Sequence, residues 1–572
     1  MHRINQRKMI LWDKFQSNRP FLLRCLLYTF IWGLAAHGTM YLHNSISHDS
    51  LNEFVSDMRV LSWKISLGRV LYPVYQALTR GFITLPWLVG LLTLLYTGMA
   101  VFLVMKLFDV KSRKIAFLAA GIFTANITVI AVTATYINDL DADLFAMLLA
   151  VGAAYLWRRG RRGLLPGAFL LAFSLGLYQS YLAMTITLIL MASILDLLDG
   201  RAWKGVFRRG WEGIGMLIGG GVLYIIELKI GCLISGVSLQ SGSYNSLDRM
   251  LSMSPAAWGE SLLGAYASTL SNLIQTKSIL PETLTLFLHV GILAVILFVL
   301  LRELLFGPMS LGAKLLTIVL TALLPLGMNV AHVLSNNTSH DLMHYAFWMA
   351  YLFALLLAER AGERWKSREF EQEPGENKKE LRKYEQDSVP YEQDSRGNGQ
   401  RFRNDGRGPW NDGRWGSKGR SLRTAAALLV LVILWGNVRF ANTAYAEKYR
   451  EQEANLSLFT RIVLRMEEMD GYVTGETPVV FAGKPNSVLQ RSSEFSALSQ
   501  LTGLRSAYVP GQASRNYYQA YFEYVLLNPA VMAEASVWTE LRGSEEVAAM
   551  PCYPEEGSFA IIDGVLVVKL GD

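Results

Sequence analysis

Eleven apolar segments constrain the fold of this chain more than any other feature of its sequence. A helix needs about 20 mostly apolar residues to cross the hydrocarbon core of a bilayer, and these segments approach or reach that length. Only 18% of the residues are charged, whereas a soluble domain carries about 25%. The sequence therefore predicts a mainly α-helical, polytopic membrane bundle of about 11 spans. The predicted spans are 21–41, 83–105, 115–135, 142–157, 164–178, 181–198, 212–231, 283–301, 313–334, 342–358 and 424–439.

Lys and Arg residues outside the spans predict the orientation of the chain. Cytoplasmic loops carry an excess of these residues, and the first 20 residues contain five of them. Alternate loops further along the chain, beginning with the one around Lys106 and Arg113, are basic in the same way. The pattern predicts a multi-pass protein of the cell membrane, with a cytoplasmic N-terminal segment (residues 1–20) and an extracytoplasmic C-terminus.

Residues 360–423 differ in composition from the rest of the chain. They are highly charged, and they contain the sequences YEQDS and NDGR twice each. A segment this poor in apolar residues cannot offset the loss of chain entropy on folding, so we predict a disordered cytoplasmic loop. Its Arg-, Gly- and Trp-rich end leaves binding to RNA or acidic lipid headgroups open, but a solvated linker is favoured and no nucleic-acid partner is expected.

Residues 440–572, after the last predicted span, indicate a small extracytoplasmic α/β domain. Amphipathic helical spacing is present at 443–470, and the run PVVFAG at 478–483 is typical of a buried strand. Two runs rich in β-branched residues surround Asp563-Gly564, which is a strong hairpin signal. Further helical stretches are predicted at 493–503 and 516–526.

The first outer loop, residues 42–82, contains the best candidates for chemistry. His48 and Asp49 directly follow the first span, and an amphipathic stretch after them can lie in the membrane interface. This arrangement would hold Asp49 and Arg69 at headgroup depth. A carboxylate there can deprotonate an acceptor hydroxyl, and Arg69 can bind a phosphate leaving group. The alternative is that Asp49 only caps the helix that follows it.

Other predicted outer loops contain further polar residues, in two groups before residue 180 and a third near residue 340. Asp139, Asp141 and Asp143 are spaced so that they can bind a hard divalent cation, but they can equally complement the dipole of the following helix. Tyr178 and Gln179, at a break between two spans, suit a sugar face or an ordinary interface anchor.

Two histidines precede the tenth predicted span. His340 and His344 are four residues apart and could share a helix face, which would suit a metal or a phosphate. Interfacial hydrogen bonding is the favoured alternative, because no third ligand is evident. The sequence contains no P-loop, nucleotide-sugar motif, zinc site or serine elbow. An enzyme facing outward would also have no cytosolic supply of nucleotide sugars.

Several segments, taken in their order and spacing, resemble the GtrII-type membrane glucosyltransferases. These segments are ISHDS at 46–50, GRVLYPVYQ at 68–76, the region Asn126–Asp143, SLGLYQSYLAMTITL at 174–188 and SHDLMHYAFWMAY at 339–351. The resemblance implies a multi-span GT-C architecture for the transmembrane catalytic region, residues 21–359. It also implies transfer of a hexose, with glucose expected, from a polyprenyl-phosphate-sugar to an envelope glycan at the outer face of the membrane.

The resemblance also implies roles for particular residues. GT-C enzymes typically place a catalytic acid in the first outer loop, and Asp49 is at the matching position, where it would act as the base of an inverting single displacement. The family often has two adjacent acids there, whereas this chain has His48-Asp49-Ser50. Arg69 and His340 would contact the donor phosphate. The remaining expected contacts to sugar or acceptor are His48, Tyr178 and Gln179. A divalent cation, Mg²⁺ or Mn²⁺, at Asp139 and Asp141 stays open.

Two other classes of function are compatible with a polytopic bundle. A transporter or flippase of lipid-linked sugars should show internal repeats and charged or Gly/Pro-broken spans near the middle of the bilayer. The sequence shows no clear repeat between its halves, and its polar residues gather at the outer ends of the spans. A non-catalytic envelope scaffold would instead only present its C-terminal domain outside the membrane.

Overall fold

The computed structural model describes residues 2–43, 51, 58–240, 255–274, 277–334, 340–372, 414–485, 497, 500 and 515–571. Sixteen helices build its membrane part, together with short 3₁₀ turns at Gln179–Tyr181, Asp341–Met343 and Tyr345–Trp348. The helices are α1 (His2–Leu42), α2 (Met58–Ser66), α3 (Tyr72–Thr79), α4 (Pro86–Leu107), α5 (Arg113–Thr124), α6 (Ile127–Thr135), α7 (Ile137–Arg158), α8 (Arg161–Leu177), α9 (Leu182–Leu198), α10 (Trp203–Ser235), α11 (Pro255–Ile274), α12 (Glu282–Phe306), α13 (Leu311–Met328), α14 (Val330–Leu334), α15 (Met349–Gln372) and α16 (Arg414–Glu467).

The described part of the chain contains eight helices that are long and apolar enough to span a membrane. The number is nine if α5 and α6, which meet at a bend of 41°, form one span. The count of about 11 expected from the sequence is therefore not confirmed. Two predicted spans make the difference. α8 has only 17 residues, and the second half of α15 is charged, with Glu359, Arg360, Glu363 and Arg364.

Helix packing brings together the loops of the first half of the chain that the sequence predicts to be on the outer side. α7 packs between α4 and α8, while α1 contacts α4 and α5, and α8 contacts α10. α15 packs along α16, and α9 packs along α13. One continuous apolar core fills the spaces between these helices. As a result, the start of α7 lies beside α2, α3 and the turn that joins α8 to α9.

The break between α5 and α6 interrupts the predicted span 115–135 inside the bundle. Irregular backbone at membrane depth is tolerated only where its polar groups are satisfied within the protein. The carbonyl oxygens of residues 122–125 each accept a side-chain hydrogen bond. Their donors, in chain order, are Asn126 (2.9 Å), Tyr345 (2.5 Å), His37 (3.0 Å) and Asn437 (2.9 Å). The Asn126 side chain also caps α6. The four carbonyl groups at the break are thus hydrogen-bonded within the core.

The last membrane helix, α16, continues far beyond the predicted span 424–439. Its 54 residues correspond to a length of about 80 Å, well over the roughly 30 Å of a hydrocarbon core. The amphipathic stretch predicted at 443–470 is therefore largely the second half of this helix. At the other end, α16 begins at Arg414 and α15 ends at Gln372. Both ends of the predicted loop 360–423 are thus helical, and residues 373–413 lie outside the described part.

A small sheet follows α16. Its strands are β1 (Val479–Ala482), β2 (Phe559–Ile562) and β3 (Val565–Lys569), in the order β1-β3-β2. β3 pairs antiparallel with β2 and parallel with β1. Asp563 and Gly564 have positive φ angles of 49° and 75°, so the hairpin predicted from this pair is confirmed. Three short helices accompany the sheet, α17 (Arg515–Tyr521), α18 (Ala535–Arg542) and α19 (Glu545–Ala549).

The sheet and the end of α16 share a second hydrophobic core, separate from that of the bundle. Phe459 and Ile462 of α16 pack there against Phe481 of β1. Leu51, from the first outer loop, is fully buried in the same core. The helix predicted at 516–526 is α17 and the π-helical turn that continues it, Phe522–Leu526. Most of the helix predicted at 493–503 lies outside the described residues.

Candidate active site

Three aspartates occupy the first two turns of α7. Asp139, Asp141 and Asp143 have 2%, 0% and 5% of their surface exposed. Acidic residues in the first turn of a helix interact favourably with its dipole, which agrees with one of the two interpretations of their sequence pattern. The dipole alone does not explain three buried carboxylates, because taking a charge out of water costs several kcal/mol unless the charge is paired.

Three basic residues between α1 and α4 supply the pairing. Asp139 accepts from Lys64 at 2.5 Å and from Arg69 at 3.0 Å through the same oxygen, Oδ2. Asp141 accepts from Arg80 at 2.9 Å. We call these basic residues and the aspartates of α7 the ion-pair cluster, which consists of Lys64, Arg69, Arg80, Asp139, Asp141 and Asp143. The cluster holds residues 64–80 against α7.

Tyr75 completes the environment of Asp141. Its hydroxyl donates to Asp141 at 3.0 Å. Burial and the charge of Asp141 both raise the pKa of Tyr75 above its ordinary value, so the phenol stays protonated and keeps donating. Arg80 is held further by the carbonyls of Asn138 and Ile83. Asp141 and Arg80 thus form an ion pair whose side chains are wholly buried.

The turn before Arg69 depends on Gly68. This residue has a φ of +84°, a conformation that L side chains rarely adopt. A Cβ atom there would lie 2.6 Å from the hydroxyl of Tyr224 and 2.7 Å from Nε2 of Gln179. Those two groups hold the turn, since Gln179 donates to the carbonyl of Leu67 at 3.0 Å and Tyr224 donates to that of Gly68 at 3.1 Å. The amide nitrogen of Gln179, predicted to contact sugar, therefore supports the loop.

Arg69 is the member of the ion-pair cluster with an unused hydrogen-bonding edge. Its Nη1 donates to Asp139, and its guanidinium stacks on the ring of Tyr178 at 4.5 Å from the centroid. Nε and Nη2 donate to no residue that the structure describes, and 17% of the side chain is exposed. Burial alone would lower the pKa of Arg69, but the nearby carboxylates of Asp143 and Asp139 raise it above the ordinary value. Arg69 therefore keeps its charge.

A series of aromatic rings leads from Arg69 to a second polar site. Tyr178 contacts Tyr181 at 5.6 Å between centroids, and Tyr181 contacts Tyr345 at 5.7 Å. Next to Tyr345 lies a pocket between the start of α6, the end of α11 and the 3₁₀ turns after α14. Its lining includes Thr128, Lys277, Asp341, His344 and Trp348.

A comparison with known families decides what kind of protein contains this site. The family model described as glucosyl transferase GtrII matches residues 38–357, more than half of the chain. The protein belongs to the GtrII glucosyl transferase family. The matched region contains the whole ion-pair cluster, the aromatic series and the pocket. No curated protein and no solved structure matches the chain.

Membership of the GtrII family, together with the apolar helices, makes this protein a membrane glucosyltransferase. Its substrates are accordingly a sugar donor and a glycan acceptor. The resemblance inferred from the sequence is therefore confirmed, and the enzyme class with it.

The structure of this GtrII protein brings together some of the predicted site residues. Arg69, Tyr178 and Gln179 lie in one cluster at the start of α7. His340 precedes the 3₁₀ turn Asp341–Met343, at the second polar site. His48 and Asp49 lie outside the described residues, so their roles stay predictions.

The two histidines do not share a helical face as the sequence suggested. His340 precedes one 3₁₀ turn, whereas His344 precedes another and stacks on Phe347 at 4.6 Å. Asp341, between them, forms an ion pair with Lys277. In the described part of the chain, no group of three metal-ligating side chains could hold an ion. A cation at Asp139 and Asp141 remains a prediction, and both carboxylates already have cationic partners.

Sequence reasoning missed Lys64, Arg80 and Tyr75. A signal for the two basic residues was available. Outer loops are normally poor in Lys and Arg, yet residues 42–82 contain Arg59, Lys64, Arg69 and Arg80. Such an excess in a predicted outer loop indicates that acidic partners lie elsewhere, and YINDLDAD in the next outer loop supplies them.

Proposed function

We propose that this GtrII protein moves a hexose, with glucose expected, from a polyprenyl-phosphate-sugar to an envelope glycan at the outer face of the membrane. The observation that supports this proposal best is Arg69, a partly buried cation whose Nε and Nη2 donate to no residue that the structure describes. The planar guanidinium binds phosphate oxygens in a bidentate manner. A lipid-linked donor presents its phosphate at that depth, because its isoprenoid chain stays in the bilayer.

The position of Leu51 supports placing acceptor chemistry beside the ion-pair cluster. Leu51 is buried in the core formed by α16 and the C-terminal sheet, and Lys64 and Arg69 of the same loop contact α7. The first outer loop thus joins the C-terminal part to the start of α7. Asp49 precedes Leu51 by two residues in the sequence.

The proposed reaction is a single displacement. Asp49 accepts the proton of an acceptor hydroxyl, and the hydroxyl oxygen forms a bond to the anomeric carbon of the donor. The bond from that carbon to the phosphate oxygen breaks, and the polyprenyl phosphate leaves with the electron pair, so the anomeric centre is inverted. A general base contributes about 10²–10⁴-fold to such a step. A preorganised cation at the leaving phosphate contributes a similar factor, about 10²–10³-fold.

A transporter of lipid-linked sugars is the second candidate, because the span formed by α5 and α6 is broken. Transporters use broken helices to present unpaired backbone groups to a substrate at the middle of the bilayer. Here the carbonyls of residues 122–125 are all occupied by side-chain donors. The break therefore offers no free carbonyl at those positions, and the glycosyltransferase is favoured.

Proteoliposomes containing the purified protein test both candidates. Radiolabelled polyprenyl-phosphate-glucose or UDP-glucose is supplied with an envelope glycan acceptor. The proposal predicts label in the glycan from the lipid donor only, with inverted anomeric configuration. Label that crosses the bilayer as intact lipid-linked sugar, without any glycan product, would favour the transporter. Transfer from UDP-glucose alone would refute the lipid donor.

A further inference from the structure

One carboxylate of the ion-pair cluster has no partner. Asp143 is 5% exposed, and its Oδ1 is buried. It forms no hydrogen bond or ion pair within the described part of the chain, whereas Asp139 binds two cations and Asp141 binds Arg80 and Tyr75. A buried carboxylate without partners is costly, and ionisable groups kept at membrane depth are functional more often than not.

The surroundings of Asp143 define what could bind it. Asp143 lies one turn of α7 after Asp139, on the same face of the helix, so it faces the side from which Arg69 approaches. No direct ion pair joins Arg69 to Asp143 in the described structure. The Arg69 guanidinium, with two nitrogens that donate to no described residue, and the Asp143 carboxyl group thus lie on the same side of α7 without bonding to each other.

A ligand that satisfies both groups must combine an anionic oxygen with a neutral hydroxyl donor. The anionic oxygen would bind Nε and Nη2 of Arg69, and the hydroxyl would donate to Asp143. A glycosyl phosphate has both features, with the hydroxyls a few bonds from the phosphate. Tyr178, which stacks on Arg69, and Tyr181, which contacts Tyr178, are the aromatic neighbours of this site.

We infer that Asp143 accepts a hydrogen bond from a hydroxyl of the transferred hexose while Arg69 binds the donor phosphate. This inference rests on the proposed function, which it deepens by naming the residue that recognises the sugar. Asp143 is then a specificity residue for the donor, distinct from the predicted base Asp49. Asp139 and Asp141 serve to hold the loop that presents Arg69.

Donors that lack single hydroxyls test this assignment. Purified wild type, Asp143→Asn and the matched control Asp470→Asn receive prenyl-phosphate glucose and its 2-, 3-, 4- and 6-deoxy derivatives. Asp470 is exposed and lies beyond α16, so the control repeats the chemical change away from the cluster. A hydrogen bond to a charged group corresponds to about 10- to 150-fold in kcat/KM. We expect wild type and control to reject one deoxy donor by such a factor, and Asp143→Asn to reject it by less than about threefold.

Three results would overturn the inference. If the wild-type enzyme has the same kcat/KM for all deoxy donors, it makes no hydroxyl contact of this strength. Asp143→Asn that keeps the wild-type discrimination places the contact elsewhere. Asp143→Asn that lowers kcat/KM by one factor for every donor indicates a structural role. If the Asn variant cannot be purified as a monodisperse protein, Asp143→Glu, which moves the carboxylate by one methylene, must change the ranking of the deoxy donors.

Binding measurements separate this inference from the proposed reaction. The affinity of wild type and Asp143→Asn for the same prenyl-phosphate sugars is measured in detergent without acceptor. Loss of hydroxyl discrimination in Asp143→Asn supports the inference even if no glycan product forms. Glycan product from the lipid donor, together with unchanged discrimination in Asp143→Asn, refutes the inference and leaves the proposed function intact.

Discussion

Replacing Arg80 by Gln should destabilise the protein more than any other single change in the ion-pair cluster. The side chains of Arg80 and Asp141 are both fully buried, and the guanidinium donates to Asp141 at 2.9 Å and to the carbonyl of Ile83 at 3.0 Å. Without Arg80, Asp141 keeps the hydroxyl of Tyr75 but loses its cationic partner. Breaking one partner of a buried pair costs about 3–5 kcal/mol, because an uncompensated charge remains.

The double variant Arg80→Gln/Asp141→Asn distinguishes this explanation from a simple loss of packing. It removes both charges, and two neutral amides of similar size can still hydrogen-bond, so we expect it to recover at least half of the lost stability. Unfolding is followed by chemical denaturation of the purified protein in detergent. A loss of less than about 1 kcal/mol for Arg80→Gln, or a double variant at least as unstable as the sum of the single changes, would refute the reasoning.

Two further predictions concern the loop that carries these residues. Arg69→Gln should lower the initial rate of sugar transfer by about 10²–10³-fold. Its unfolding midpoint in chemical denaturation should stay close to that of wild type, because Lys64 still pairs with Asp139 at 2.5 Å. Unimpaired transfer by Arg69→Gln would exclude Arg69 from the phosphate site. Leu51→Ala should lower the free energy of unfolding of the second core by about 2–5 kcal/mol and speed amide hydrogen exchange in β1 and β3. Leu464→Ala, at an exposed position of α16, is the control. Exchange in Leu51→Ala as slow as in the control would contradict the packing of Leu51 in this core.

The sequence pointed to Arg69 and to the three aspartates of the ion-pair cluster, but it did not show that Lys64 and Arg80 belong with them or which residues pair. Arg69 and Asp139 are 70 positions apart, and no local periodicity relates them. The helix dipole and the metal were both plausible for the aspartates, since spacing alone cannot show that Lys64 and Arg80 reach α7. Whether Lys64 and Arg69 reach the aspartates depends on how the loop around Gly68 folds.

Helix boundaries show a similar division between local and long-range information. The sequence treated 115–135 as one span, yet Asn126, a good N-cap residue inside an apolar run, ends α5 and begins α6. A change in polarity near residue 440 suggested a helix end, but no glycine or proline lies between 440 and 467, and α16 continues. The hairpin at Asp563-Gly564 was predictable from its turn. The parallel pairing of β1 with β3 was not, because it joins distant segments.

The proposed catalysis depends most directly on Asp49, so the rate of transfer by Asp49→Asn is its sharpest test. Purified Asp49→Asn and Asp470→Asn are compared with wild type, using polyprenyl-phosphate-glucose and the glycan acceptor. We predict that Asp49→Asn loses at least about 100-fold in transfer rate while it binds the donor normally and unfolds at the same midpoint. Transfer by Asp49→Asn within a few-fold of wild type would contradict a base at this position, and with it the proposed displacement.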